Sequence, residues 1–197
     1  MVKPDALRNI YDLPPNLPRP IDDGGTDHLT GMDLPALRLQ STSGLLLDLR
    51  SGFQKPSVLF IYPRAGSPLE PNTNQDLWDQ IPGARGCTPQ SCAFRDLYSE
   101  FQTLGIEVAG LSMQSPEVQK EFVERNHISF PILSDQNYQL TNGLNLPTFV
   151  FEDERLIKRM ALFLDGGKIR KVFYPVFPPD KNAETVLAWL KAGRTTT

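Results

Sequence analysis

Two cysteines stand five residues apart in G-C-T-P-Q-S-C, and the chain has no others. Cys87 falls where an extended segment should hand over to an amphipathic helix, in the first turn of that helix, with Cys92 in the second. A thiol at a helix start faces backbone N–H groups that lack internal partners, and the positive end of the macrodipole; both favour its thiolate. A second thiol nearby can trap what the first becomes on oxidation. Residues i and i+5 of an α-helix are separated by a rise of roughly 7.5 Å and a rotation of about 140°. Their Cα atoms are then beyond the ~7 Å reach of a disulfide. The first turns must therefore unwind before the sulfurs can join, which would make the helix a redox switch. Zinc is a poorer reading, because a structural site wants four ligands. The chain's two histidines, His28 and His127, lie in no ligand-like spacing and read as surface or structural residues.

The rest of the chain must position that pair. Its 197 residues allow one domain with a real core plus ornament. A formal net charge of −3 with both signs scattered gives no hint of nucleic acid or an anionic membrane as partner. No apolar run approaches the ~20 residues needed to span a bilayer. The start, M-V-K-P-D-A-L-R-N, carries no apolar stretch of the secretory kind. A cytoplasmic location is the resulting expectation, and there a close cysteine pair is catalytic or metal-binding more often than a permanent staple.

Residues 1–32 read as an irregular, flexible or surface-draped leader, with prolines at 4, 14, 15, 18 and 20. Order is expected from Leu34, with L-P-A-L-R-L-Q and L-L-L-D-L-R flanking S-T-S-G as a β-hairpin. S-V-L-F-I-Y is a buried strand over 57–62, ended by Pro63. Residues 64–86 form a long loop with a short helical piece near Asp76 to Trp78, and such loops are often functional. Phe94, Leu97, Tyr98, Phe101 and Leu104 recur at helical spacing from Thr88 to Leu104. A strand follows Gly105, then a helix capped by Ser115 with Pro116 at its first position. F-P-I-L-S-D is another strand, followed by two hairpins, the second turning at D-G-G. A helix from Asp180 to Lys191 closes a domain over 33–193, leaving 194–197 as a tail. Alternating strands and helices with antiparallel edges predict an α/β, thioredoxin-like fold: a central mixed sheet flanked by helices.

S-V-L-F-I-Y-P-R-A followed by G-C-T-P-Q-S-C-A-F-R-D resembles the peroxiredoxins of the bacterioferritin-comigratory, or peroxiredoxin Q, type. Those carry a strand ending Y-P, the pattern P-x-x-x-[T/S]-x-x-C, and a second cysteine at the spacing found here. The resemblance covers roughly residues 34–193, including L-S-D, F-L-D-x-x-G-K-I and a last helix ending W-L-K. It implies that Cys87 is the peroxidatic nucleophile and Cys92 the resolving thiol. Pro63 matches the proline that shields the thiolate, Ser67 the hydroxyl residue that orients the peroxide, and Arg159 the arginine that stabilises the thiolate and polarises the O–O bond. In the family motif one short loop separates proline from cysteine, whereas Pro63 and Cys87 are 24 positions apart. The added stretch can loop outward and leave Ser67 in place. It can equally displace Ser67, bring in Arg85, or shape access with Trp78. N-L-P-T-F-V-F looks like the cis-proline segment of thioredoxins, but the peroxiredoxin alignment leaves Pro147 an ordinary loop or strand-edge proline.

The resemblance implies a thiol-dependent peroxidase acting on hydrogen peroxide and organic hydroperoxides, recycled by thioredoxin or another dithiol. It implies no metal, haem or flavin, and a monomer or weak dimer. Two alternatives stay open on the residues alone. One is a thioredoxin-like protein thiol–disulfide oxidoreductase, which would prefer C-x-x-C and would not need Arg159. The other is a redox-sensing binding protein whose helix switch recruits a partner.

Overall fold

The computed structural model describes residues 9–67 and 74–194. Residues 68–73 of the long loop, the first eight residues and the tail 195–197 lie outside the described residues. Nine strands and seven α-helices are defined within them.

The predicted first hairpin is present as β1 (Arg38–Ser41) and β2 (Leu46–Asp48). A single turn of helix, α1 (Leu49–Gly52), is capped by the Asp48 carboxylate accepting from the Ser51 N–H. The buried strand is β3 (Ser57–Ile61). Its side chains alternate between the two faces of the sheet. Leu59 and Ile61 join one core with Leu29, Leu34, Leu111 and Leu162. Val58, Phe60 and Tyr62 join the other with Phe94, Phe101, Phe122 and Val186. The strands β4 (Glu107–Ser112) and β5 (Ile132–Ser134) run parallel to β3, while β8 (Met160–Asp165) pairs with it antiparallel. With β9 (Lys168–Phe173) the order is β2-β1-β5-β4-β3-β8-β9, a mixed sheet with β3 near its centre.

Helices cover the sheet as a thioredoxin-like fold requires. The helix expected over 88–104 is in fact two: α3 (Cys87–Asp96) and α4 (Tyr98–Thr103). Leu97 interrupts them with φ −97° and ψ 5°. The break keeps Phe94 and Phe101 packed, their ring centroids 5.7 Å apart, so the apolar spacing is the same as for one continuous helix. α5 (Pro116–Arg125) has the predicted start, with the Ser115 hydroxyl accepting from the Val118 N–H. A short helix, α6 (Gln139–Gly143), was not expected from the sequence. It begins where the Asp135 carboxylate accepts from the N–H groups of Leu140 and Thr141. The last helix is α7 (Asn182–Arg194).

Two features lie outside the basic sheet. The hairpin of β6 (Thr148–Phe151) and β7 (Glu154–Ile157) is a separate two-stranded sheet. The helical piece of the long loop, α2 (Gln75–Asp79), docks against it. Trp78 packs edge-on to Phe151 with ring centroids 5.1 Å apart, in a small core with Ala84 and Leu156. The leader, in turn, is draped over the domain from residue 9 onward. Leu29 is fully buried, and the N–H groups of Gly31 and Leu34 donate to the carbonyls of Ile169 and Gly167. Asp23 accepts from Lys158 and from the Tyr174 hydroxyl. These anchors are single side chains and backbone groups, which leave no periodicity in the sequence.

Candidate active site

Cys87 is the first residue of α3, preceded by Gly86 in the left-handed conformation at φ 101°. A Cβ on Gly86 would stand 2.3 Å from Pro179 Cγ and 2.9 Å from Leu13 Cδ2, so only glycine fits there. This turn drops Cys87 into the core beside Tyr62, Ala65 and Phe94, leaving it 4% exposed. Its thiol donates to the Ala84 carbonyl at 3.6 Å.

Arg159 lies in the bend that leads from β7 into β8 and is buried to 3% exposure. Its Nη2 stands 3.2 Å from the Cys87 sulfur. The same nitrogen donates to the carbonyls of Ala84 at 2.9 Å and Arg85 at 3.1 Å, and Nε donates to Gly83 at 3.2 Å. Nη1 donates to Oε1 of Gln90, and Gln90 Nε2 donates to Asn182 Oδ1 at 2.9 Å. Every face of the guanidinium is thus engaged, which fixes a cation against the sulfur in a site that excludes bulk water. Such a cation can polarise an oxygen bound beside the sulfur. Gln90 and Asn182 were not singled out from the sequence. A glutamine in a polar helix and an asparagine at a helix start carry no signal there; only the fold brings them to Arg159.

Cys92 faces another way. It is half-buried on α3, and its thiol points to Oδ1 of Asn126, 3.8 Å away at the end of α5. Burial pushes the Cys92 thiol up from its ordinary value, against the opposing pull of the Arg95 guanidinium. Both cysteines are free thiols. One sulfur meets the start of β8 and the other the end of α5, as the divergence of positions i and i+5 demands.

Pro63 is buried directly after β3. Beyond it, Gln114 clamps Ala65, accepting from its N–H at 2.8 Å and donating to its carbonyl at 3.0 Å. A cavity of about 40 Å³ reaches Cys87 and Thr88; its other walls include Ile10, Arg64, Gly66, Trp78 and Arg85. Ser67 follows Gly66, the last residue of this segment on that wall. Arg85 is 8% exposed and directed toward the leader. Its Nη2 donates to the carbonyls of Asn9 at 2.9 Å and Asp12 at 3.2 Å, and its Nη1 lies 3.7 Å from the Asp79 carboxylate. Arg64 stacks over Trp78 and Phe151 and pairs with Glu154 at 3.1 Å.

The family model described as Redoxin matches residues 29–187. Peroxiredoxin Bcp of Escherichia coli is 30% identical over 162 residues, 80% of this chain and 92% of that protein. The chain belongs to the peroxiredoxins of the Q/Bcp type. Chloroplastic peroxiredoxin Q of Sedum lineare is likewise 30% identical, over 82% of this chain and 77% of the relative. Among solved structures, peroxidoxin BcpB of Mycobacterium tuberculosis superposes with a TM-score of 0.66 at 26% identity, covering 84% of this chain and 98% of that one. This peroxiredoxin is therefore a thiol-dependent peroxidase, an oxidoreductase on a thioredoxin fold. Its substrates are hydroperoxides, and it needs a reductant to restore its thiols. No helix among the described residues is long and apolar enough to cross a membrane.

Proposed function

We propose that Cys87 is the residue oxidised by peroxide and Cys92 the residue that resolves it. The thiolate of Cys87 attacks the distal oxygen of the hydroperoxide. The O–O bond breaks, the leaving oxygen takes a proton and departs as water or alcohol, and the sulfur is left as sulfenic acid. Arg159 holds the thiolate and draws charge from the breaking bond, with Pro63 shielding the sulfur on the β3 side and Ser67 as the hydroxyl residue carried over from the family motif. Cys92 then attacks the sulfenic sulfur, water leaves, and an intramolecular disulfide forms. A dithiol reductant, with thioredoxin as the proposed partner, reduces it by exchange.

The contact of 3.2 Å between Arg159 Nη2 and the Cys87 sulfur supports this assignment most directly. The different neighbours of the two sulfurs support a step in which α3 unwinds between oxidation and closure. A monomer is proposed because Cys87, Cys92, Arg159 and Gln90 complete the site within one chain. A cytoplasmic setting suits a pair that must be returned to dithiol form after each turnover.

The test is peroxide consumption by purified protein with a dithiol reductant. Cys87→Ser should abolish turnover, and full activity in that variant would overturn the assignment. Cys92→Ser should still form sulfenic acid once, detected as a mass gain of one oxygen, and then turn over poorly.

A further inference from the structure

We propose that Ile10 is a specificity residue, which makes the Cys87 cavity favour hydrogen peroxide over hydroperoxides that carry an aryl or branched alkyl group. The inference rests on the reading of Cys87 as the oxidised residue. Cys87 is 4% exposed, and peroxide must reach it through the cavity of about 40 Å³ that it lines. A single water needs about 10–15 Å³ measured in this way, so the space suits a molecule of two or three heavy atoms. The carbon group of a larger hydroperoxide must then lie at the open mouth of the cavity, against Ile10 and Trp78, or displace one of them.

Two walls come from parts of the chain that the family motif does not supply. Trp78, from the added loop, is fixed by its packing on Phe149 and Phe151 and is 5% exposed. Ile10, from the leader, closes over Gly66; its Cγ2 is 3.6 Å from where a Cβ of that glycine would stand. Ile10 sits inside a turn from Asn9 to Asp12. The Asp12 N–H donates to the Asn9 carbonyl at 3.1 Å, and the Tyr11 N–H donates to Asn9 Oδ1 at 3.0 Å. Arg85 holds this turn from beneath through its two bonds to the Asn9 and Asp12 carbonyls. Arg125 ties it sideways, donating to the Tyr11 hydroxyl at 3.4 Å and the Gly66 carbonyl at 3.1 Å. Two buried or half-buried guanidiniums, themselves held by the carboxylates of Asp79 and Glu121, donate to these carbonyls and the hydroxyl and make a fixed wall out of an otherwise aperiodic segment. Ile10 alone supplies the apolar side chain that the turn presents to the cavity.

The experiment is stopped-flow oxidation of the reduced full-length chain by hydrogen peroxide, tert-butyl hydroperoxide and cumene hydroperoxide. Mass analysis reports the state of Cys87. The unmodified chain should favour hydrogen peroxide over cumene hydroperoxide by roughly 100-fold. Ile10→Ala and Ile10→Gly should lower that ratio about ten-fold, carried by faster reaction with the bulky peroxides, and Ile10→Val should keep it near the unmodified value. A merely structural effect of these variants would slow all three peroxides together and leave the ratio alone, and that result overturns the inference. Equal rates for the three peroxides in the unmodified chain overturn it too, while leaving Cys87 as the oxidised residue. Failure of every peroxide to oxidise Cys87 overturns the assignment of Cys87, and this inference with it.

Discussion

Arg159 holds the Cys87 sulfur with a nitrogen that is also bound to the backbone leading into that cysteine. Nη2 lies 3.2 Å from the sulfur, 2.9 Å from the Ala84 carbonyl and 3.1 Å from that of Arg85. The position of the cation and the path of the chain are therefore set together. A lysine offers one point charge and cannot fill these directions at once. Arg159→Lys should slow peroxide oxidation of Cys87 by roughly 100-fold, as loss of a preorganised donor does elsewhere. Stopped-flow rates within threefold of the unmodified protein would show that charge alone suffices.

Gln90 and Asn182 act on Arg159 from behind. Gln90→Ala removes the acceptor for Nη1 and should reduce the oxidation rate about ten-fold by letting the guanidinium tilt. Gln90→Glu keeps an acceptor toward Arg159, and Asn182 can turn its amide to donate. Recovery of most of the rate in Gln90→Glu, at similar thermal stability to Gln90→Ala, would mark positioning rather than folding.

Cys92 gives a pH signature. Burial raises its thiol, so in its folded place it keeps its proton to higher pH and is short of the thiolate that must attack. Closure of the disulfide after a single oxidation should therefore accelerate as pH rises. If α3 unwinds first, the freed thiol titrates at its ordinary value, about 8.5. A midpoint there is the expected outcome. A midpoint well above it in rapid-quench thiol counts would mean that Cys92 attacks from its buried position.

Gly86→Ala tests the turn that seats Cys87. It asks a residue at φ 101° to carry a Cβ aimed 2.3 Å from Pro179 Cγ. Backbone strain and overpacking together should cost roughly 2–4 kcal/mol. Denaturant unfolding would measure this, and a loss under about 0.5 kcal/mol would show that α3 and the Pro179 turn shift apart without penalty.

Asp23 tests the leader. Its bonds to Lys158 and the Tyr174 hydroxyl, in that order, hold its carboxyl well below the usual carboxylate range. A depressed carboxylate stabilises above its unfolded pKa, and that contribution is lost only as pH falls through the folded value. The leader should therefore stay docked at any pH near neutrality. Asp23→Asn should raise protease cleavage within residues 9–32 severalfold while Cys87 still reacts with hydrogen peroxide. Unchanged cleavage would mean that Leu29 and the backbone pairing to β9 suffice.

What was readable in the sequence follows from what each feature depends on. The apolar run in Ser57–Ile61, the Ser115 cap and the D-G-G turn are local, so the strands, α5 and the last hairpin are present as predicted. Cys87, Cys92 and Arg159 were marked by residue type and by resemblance to a family. The break at Leu97 was hidden, because Phe94 and Phe101 keep helical spacing across it. The docking of the leader was hidden too: Arg85 holds it through carbonyls, which every residue possesses, and Arg125 through the single hydroxyl of Tyr11. Gln90 and Asn182 become meaningful only when α3 and α7 meet.

Arg159 recognises Gly83, Ala84 and Arg85 by their carbonyl oxygens alone. Nothing in that recognition depends on which side chains lead into Cys87, or on how many residues precede Gly83. The reacting centre is in this sense modular. A chain can therefore carry a longer or shorter approach to Gly83, and exchange the outer wall of its pocket, while the sulfur and its cation stay in register. Loop grafts across this approach are accordingly the natural route to redirecting the enzyme toward other peroxides.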